Sequence, residues 1–290
     1  MLLLVSQHLF AKTLPQQLQQ IEQRNGGRIG ISVLNTGNQH QINYRANQRF
    51  PMGCTSKVIG VSAVLNKSMT DPMLLGKKIT YQTIDLASWS PVTGKHVKDG
   101  MTVEALCSAA IRYSDNTAMN LLVKELGGLE AINAYAKQLG DHQFRQDNIW
   151  PDEAFSGGDD PYDSSSPAAM TNNLRQLLLE RGLGEKQHKL LQSWMLSNTT
   201  GDKRIRAGVP ASWKVADKTG TGARYGTTND IGVIWPGACS PIVMSVYFTQ
   251  NRKHATPNDR VIVDVTKSVI AALVEKDPCV RDALASNKIG

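Results

Sequence analysis

Strand-like patterns stand only at the two ends of this 290-residue chain, with a long helical stretch between them. "RIGISVLN" reads as a strand, and "QHQINYRA" as its hairpin partner across the turn residues "TGN". The texture returns only after about Thr200, in "ASWKVADKTG", "TTNDIGVIWP" and "SPIVMSVYFTQ". Unpaired strands leave their backbone polar groups without partners, so the two ends are expected to meet in one antiparallel sheet. The amphipathic "LPQQLQQIEQRN" and the closing "DRVIVDVTKSVIAALVEK" would flank it. The expected fold is α/β: an antiparallel sheet with N- and C-terminal helices, plus an inserted all-α domain. Residues 12–50 and 203–290 would form the α/β domain, and residues 51–202 the helical one.

Within the helical block, "SKVIGVSAVLNKS" is apolar almost all round and reads as a buried helix. "TVEALCSAAIRY", "NTAMNLLVKELG" and "GLEAINAYAKQLG" follow, the last two ended by Gly. "SPAAMTNNLRQLLLERG", with its Ser cap and first-turn Pro, and "GEKQHKLLQSWMLS" complete the set. Between them, from about residue 145 to 167, runs a loop rich in Asp, Gly, Ser and Pro with no period. So long a loop inside a compact domain is usually functional. Active sites often lie between such domains.

Residues 1–11, mostly apolar, read as a signal-peptide remnant; the alternative is the first turn of an amphipathic helix. The stretch is too short to span a bilayer, and no other run is apolar enough, so no stable membrane anchor is expected. Net charge is +7, but the densest basic runs, "DKRIRAG" and "QNRKHA", are short. No nucleic-acid partner is therefore expected, although the excess charge suits anionic small molecules. The cysteines, Cys54, Cys107, Cys239 and Cys279, form no C-x-x-C pair, and the six His form no H-E-x-x-H. No metal or other cofactor is expected. A disulfide would suit an exported chain, but spacing does not choose its partners.

Three short motifs occur in order: Cys54-Thr55-Ser56-Lys57, Ser114-Asp115-Asn116, and Lys218-Thr219-Gly220-Thr221-Gly222. Each alone is weak. Cys54 by itself could be a nucleophile armed by Lys57, a buried structural thiol, or a remnant. The lysines could be surface residues and Ser114 a helix cap. In this order, on these elements, the set resembles the class A active-site serine β-lactamases and the related penicillin-binding proteins. The likeness spans nearly all of residues 20 to 275, including "PMGCTSKVIGVSAVL" as nucleophile helix and "LGDHQFRQDN" leading into an Ω loop.

The resemblance implies a fold, a reaction and roles. The substrate would be a β-lactam, a strained amide carrying a carboxylate, opened through a covalent acyl-enzyme. Residue 54 would attack and Lys57, three residues on and on the same helical face, would shuttle the proton. The backbone N–H groups of Cys54 and Thr221 would form the oxyanion hole. Ser114 would relay a proton to the leaving nitrogen, and Asn116 would hold the substrate's amide side chain. Lys218, Thr219, Gly220 and Thr221 would bind the carboxylate, with Arg260 or Arg224 adding charge. Trp89, in "ASWSP", stands like the family's aromatic gatepost; plain packing is its alternative. A monomer, periplasmic or secreted, is implied.

Two departures matter. Cys54 stands where the family has Ser, and Trp150 where its Ω loop has the Glu that deacylates. Ala154 takes the place of an Asn that helps hold the hydrolytic water, and Asn148 that of an Arg that pairs with Asp163. Sulfur is larger than oxygen, which would displace the reacting carbonyl. Trp150 is no base, and loss of the Arg pairing is expected to loosen the loop. Hydrolysis is thus expected to be impaired. A non-turnover β-lactam-binding protein and a penicillin-binding-protein-like transpeptidase are the alternatives.

Overall fold

The computed structural model describes residues 12–152 and 160–286. The signal-peptide reading of residues 1–11 and the positions of Glu153 and Ala154 fall outside them.

Helix α1 (Leu14–Asn25) leads into β1 (Gly27–Asn35) and β2 (Gln41–Tyr44). A two-residue strand, β3 (Phe50–Pro51), and a 3₁₀ turn (Gly53–Ser56) precede α2 (Lys57–Lys67). The helical block adds α3 (Val103–Arg112), α4 (Asn116–Leu126), α5 (Leu129–Gln138), α6 (Pro167–Leu179) and α7 (Glu185–Leu196). Short strands β4 (Lys78–Ile79), β5 (Met101–Thr102) and β6 (Ser164–Ser165) lie among them. The short helix α8 (Ile205–Gly208) precedes β7 (Lys214–Gly222), β8 (Thr227–Trp235) and β9 (Ile242–Gln250). Helices α9 (Asp259–Lys276) and α10 (Pro278–Ser286) close the described chain.

The ends of the chain do meet in one antiparallel sheet, in the order β2-β1-β9-β8-β7. Alternate side chains of β9 enter opposite cores. Ile242, Met244, Val246 and Phe248 pack with α1 and α9, whereas Val243 and Tyr247 join the core of the helical block. A sheet covered on both faces explains why its strands read as near-continuous apolar runs. At the centre of the helical block α2 is buried from Lys57 to Leu65, as its all-round apolar sequence requires.

The helix read over "SKVIGVSAVLNKS" begins at Lys57, after a 3₁₀ turn that the sequence reading did not separate from it. The turn places Cys54 just ahead of α2 rather than within it. Helix starts at the motifs follow familiar chemistry. Thr102 caps α3 by accepting from Ala105 N (3.1 Å), and Asp115 caps α4 by accepting from Ala118 N (2.8 Å).

Cys239, in the turn between β8 and β9, is bonded to Cys279 on α10. This settles a pairing that spacing had left open, and it fastens α10 to the sheet. The bridge closes a 40-residue span, which chain entropy values at about 4 kcal/mol as an upper figure. Replacing both cysteines with Ser is expected to lower the unfolding free energy by an amount within that figure, seen as a lower urea midpoint at unchanged slope. An unchanged midpoint would mean that α10 docks without the bridge.

Candidate active site

The three motifs come from three separate elements and converge on one cleft. Its volume is about 860 Å³, and Cys54, Trp89, Ser114, Asn116, Trp150, Thr219 and Thr221 are among its walls. The turn that carries Cys54 is held from below. Buried Asn229 on β8 donates its Nδ2 to Pro51 O (2.7 Å) and Met52 O (3.0 Å). Thr55 Oγ1 donates to Met52 O (2.7 Å), and Ser56 Oγ to Gly53 O (2.9 Å). Strand β7 runs hard against this turn. A Cβ at Gly220 would lie 2.5 Å from Met52 O and 3.1 Å from Thr55 N, so no larger residue fits. Close approach, rather than backbone freedom, is what this glycine supplies.

Lys57 is fully buried. Its Nζ donates to Ser114 O (2.8 Å) and Asn116 Oδ1 (2.6 Å), and lies 5.8 Å from the Trp150 ring centre. Cys54 Sγ stands 3.9 Å from the same Asn116 Oδ1. Lys218, also fully buried, donates to Ser114 Oγ (3.0 Å) and Thr219 O (2.8 Å). The thiol is therefore bracketed by two ammonium groups that share its neighbours. Burial pushes the thiol pKa up, but the charges of Lys57 and Lys218 and the nearby hydrogen bonds outweigh it and hold it below the usual value. Lys218 is pushed down to about 8, first by burial and then by Lys57 and Arg204, against the opposing pull of Cys54 and Asp217.

The Ser114 loop is rigid for a visible reason. Ser114 has φ +56°, an unusual conformation for a non-glycine residue. Its neighbour Asp115 is fully buried, and accepts from Val92 N (3.0 Å) and Thr93 N (2.9 Å) as well as from its own helix. Asn116 donates Nδ2 to Ser88 O (2.7 Å), so its amide is engaged by the protein at both ends. Trp89 stands at the rim, 64% exposed, its Nε1 donating to Tyr113 O (3.0 Å).

On the opposite wall Thr219 and Thr200 share a 2.6 Å hydroxyl contact. One cation at this wall, Arg204, is a residue that sequence reading missed. Arg204 donates to Thr221 Oγ1 (2.6 Å), Gly220 O (2.8 Å) and Asn229 O (2.7 Å), and pairs with Asp259 (2.7 Å). Arg224 also lines the cleft. Arg260 does not: it lies on α9, largely exposed, and pairs with Asp264 one turn away (2.8 Å). Of the two cations expected to add charge, Arg224 therefore lines the cleft and Arg260 does not, and Arg204, noticed only as part of the basic run "DKRIRAG", lines it as well. Behind this wall Asp217 is pushed up to about 6, chiefly by burial, despite Arg206 at 2.6 Å.

Trp150 faces the cleft from the loop and is only 2% exposed. Asn120 grips its backbone on both sides, accepting from Trp150 N (3.0 Å) and donating to Trp150 O (2.7 Å). Asp152, beyond it, is exposed. Among the described residues lining the cleft there is no carboxylate and no imidazole. The expectation that the loop would loosen without an Arg opposite Asp163 is overturned at its neck. Asp163 accepts from Asp147 N (2.8 Å), Asn148 N (3.0 Å), Gln146 Nε2 (3.1 Å) and Asn148 Nδ2 (2.8 Å). Asn148 thus does the pairing itself. Strand β6 then pairs with β3, so the loop's exit is tied to the residues just before Cys54.

Residues 13–273 match the family model described as the beta-lactamase enzyme family. Beta-lactamase OXY-2 of Klebsiella oxytoca is 44% identical over 274 residues, 94% of each chain. Beta-lactamase Toho-1 of Escherichia coli is 44% identical over 262 residues, 90% of each. Among solved structures, the class A beta-lactamase from Mycobacterium abscessus superposes with a TM-score of 0.86 at 42% identity, covering 90% of this chain and 99% of that one. An ancestral class A beta-lactamase gives 0.84 at 48% identity, covering 90% and 100%.

Proposed function

The chain belongs to the class A β-lactamase family of hydrolases, and from that premise we propose that it opens β-lactams at Cys54 and holds the product as a long-lived thioester. One observation carries this reading. A thiol bracketed by Lys57 and Lys218 shares its cleft with Trp150, while the described lining offers no group able to activate water.

In this reading the Cys54 thiolate attacks the lactam carbonyl. The developing oxyanion is received by the N–H groups of Cys54 and Thr221. The ring C–N bond breaks, and the leaving nitrogen takes its proton from Ser114, whose hydroxyl is hydrogen-bonded to Lys218 and whose backbone carbonyl takes a bond from Lys57. Thr219, Thr221, Lys218 and Arg204 receive the substrate carboxylate, Asn116 faces its amide side chain, and Trp89 borders its entry. Hydrolysis of the thioester then lacks the base that a carboxylate at position 150 would provide. The Cys239–Cys279 bridge supports an exported, periplasmic or secreted, chain, since such bridges persist where thiols are oxidised. A monomer acting on a small molecule is proposed.

Intact-mass spectrometry during incubation with a penicillin, beside turnover of a chromogenic cephalosporin, tests it. A single lasting adduct, absent in Cys54→Ala, with little turnover is the expected result. Rapid turnover without an adduct would establish a working hydrolase instead. Neither adduct nor turnover would leave a chain without β-lactam chemistry.

A further inference from the structure

Beside Thr219 a short chain of side chains has proton directions that its neighbours fix. Asn198, 2% exposed, donates Nδ2 to Asp217 Oδ2 (2.7 Å), and its Oδ1 accepts from Thr200 N (3.1 Å). A backbone N–H only donates, so the amide oxygen must face Thr200. Thr200 Oγ1 lies 2.8 Å from that same Oδ1. An amide oxygen carries no proton, so the Thr200 hydroxyl is the donor there. A hydroxyl has one proton to give. The 2.6 Å contact between Thr200 and Thr219 is therefore donated by Thr219. The protons run from Thr219 to Thr200 to Asn198.

Thr200 and Thr219 both line the cleft. A carboxylate offers acceptors only, so it can bond the Thr219 hydroxyl only by taking the proton that Thr200 now receives. Thr200 can then donate to Thr219 or to Asn198, but not to both. The protein gives up one internal hydrogen bond for each one it makes to the carboxylate at Thr219. A ligand without a carboxylate meets no such cost.

We propose that Thr200 is a positioning residue that narrows the site's preference for acidic over neutral β-lactams, by competing with the substrate carboxylate for the one proton Thr219 can donate. This rests on the reading that Thr219 receives the carboxylate, and it adds what sets the strength of that contact. The competition comes from the hydroxyl at position 200 and not from its bulk. A residue of the same shape without the hydroxyl leaves Thr219 free to donate into the cleft. A residue that keeps the hydroxyl keeps the competition.

The experiment measures dissociation constants of benzylpenicillin and of its methyl ester by NMR titration, in a full-length Cys54→Ala background so that no acylation intervenes. Adding Thr200→Val is expected to tighten benzylpenicillin about fivefold, the worth of one hydrogen bond, and to leave the ester unchanged. The unchanged ester also shows that the cleft is still folded. Thr200→Ser should match the background for both ligands. Thr219→Val should erase the gain from Thr200→Val. Benzylpenicillin bound no tighter with Thr200→Val, or acid and ester tightened equally, would overturn the proposal while leaving the carboxylate at this wall. Acid and ester bound alike in every variant would overturn the reading of the wall as well.

Discussion

The double variant Cys54→Ser/Trp150→Glu is expected to turn over a chromogenic cephalosporin at least about 10³-fold faster than the present chain. The site is already prepared for both changes. Asn120 holds residue 150 by its backbone N and O, so the anchor does not depend on the indole. The indole ring centre lies 5.8 Å from Lys57 Nζ, so a shorter carboxylate there would face an ammonium rather than an apolar wall. Replacing the large ring also leaves room for the water that a general base must activate. The serine oxygen would put a smaller nucleophile on the turn that Asn229 clamps and that Gly220 lets β7 approach.

The single variants separate the two steps. Cys54→Ser alone should acylate faster but still stall, now as an oxygen ester. Trp150→Glu alone should shorten the life of the thioester without speeding its formation. Urea midpoints near that of the parent would show that each variant folds. A folded double variant that remained inactive would mean that position 150 is not where the loop delivers its base.

How much of this was legible depended on range. The five strands of the main sheet and the helices of the middle block were readable because their patterns are local and long. The motif residues Cys54, Lys57, Ser114, Asn116, Lys218 and Thr219 were readable because their spacing and order are specific. The structure brings them together. What the sequence concealed was contact between distant segments. Arg204 and Arg260 are alike on the page, and only the packing of α8 beside β7 puts the first at the cleft. Asn229 looks like any strand residue until its side chain is found holding the turn that carries Cys54. Asn148 looked like a lost ion pair, yet its amide and N–H both reach Asp163, because an uncharged donor at the right place satisfies a carboxylate as an Arg would.

Acylation by a carboxylate-bearing penicillin should follow a bell-shaped pH profile whose alkaline limb lies near 8. The rising limb is the Cys54 thiol, held below its ordinary value by Lys57 and Lys218 against burial. A thiol alone gives a rate that climbs and then levels. The fall comes from Lys218, which burial lowers from 10.5 to about 8. Above that pH it loses the charge that both receives the carboxylate and supports Ser114. Two units higher about one part in a hundred remains charged, so the second-order acylation constant should drop on the order of a hundredfold by pH 10. Stability moves the other way. A lysine whose folded value is depressed is penalised while charged, so that penalty is present below about 8 and lifts as pH rises toward 10.5. Lys218→Met should therefore lose the alkaline fall in acylation, and its urea midpoint relative to the parent should shrink across the same window. The opposite signs are the test. Acylation that kept rising past pH 9 in the parent would remove Lys218 from the carboxylate pocket, whatever happened to stability.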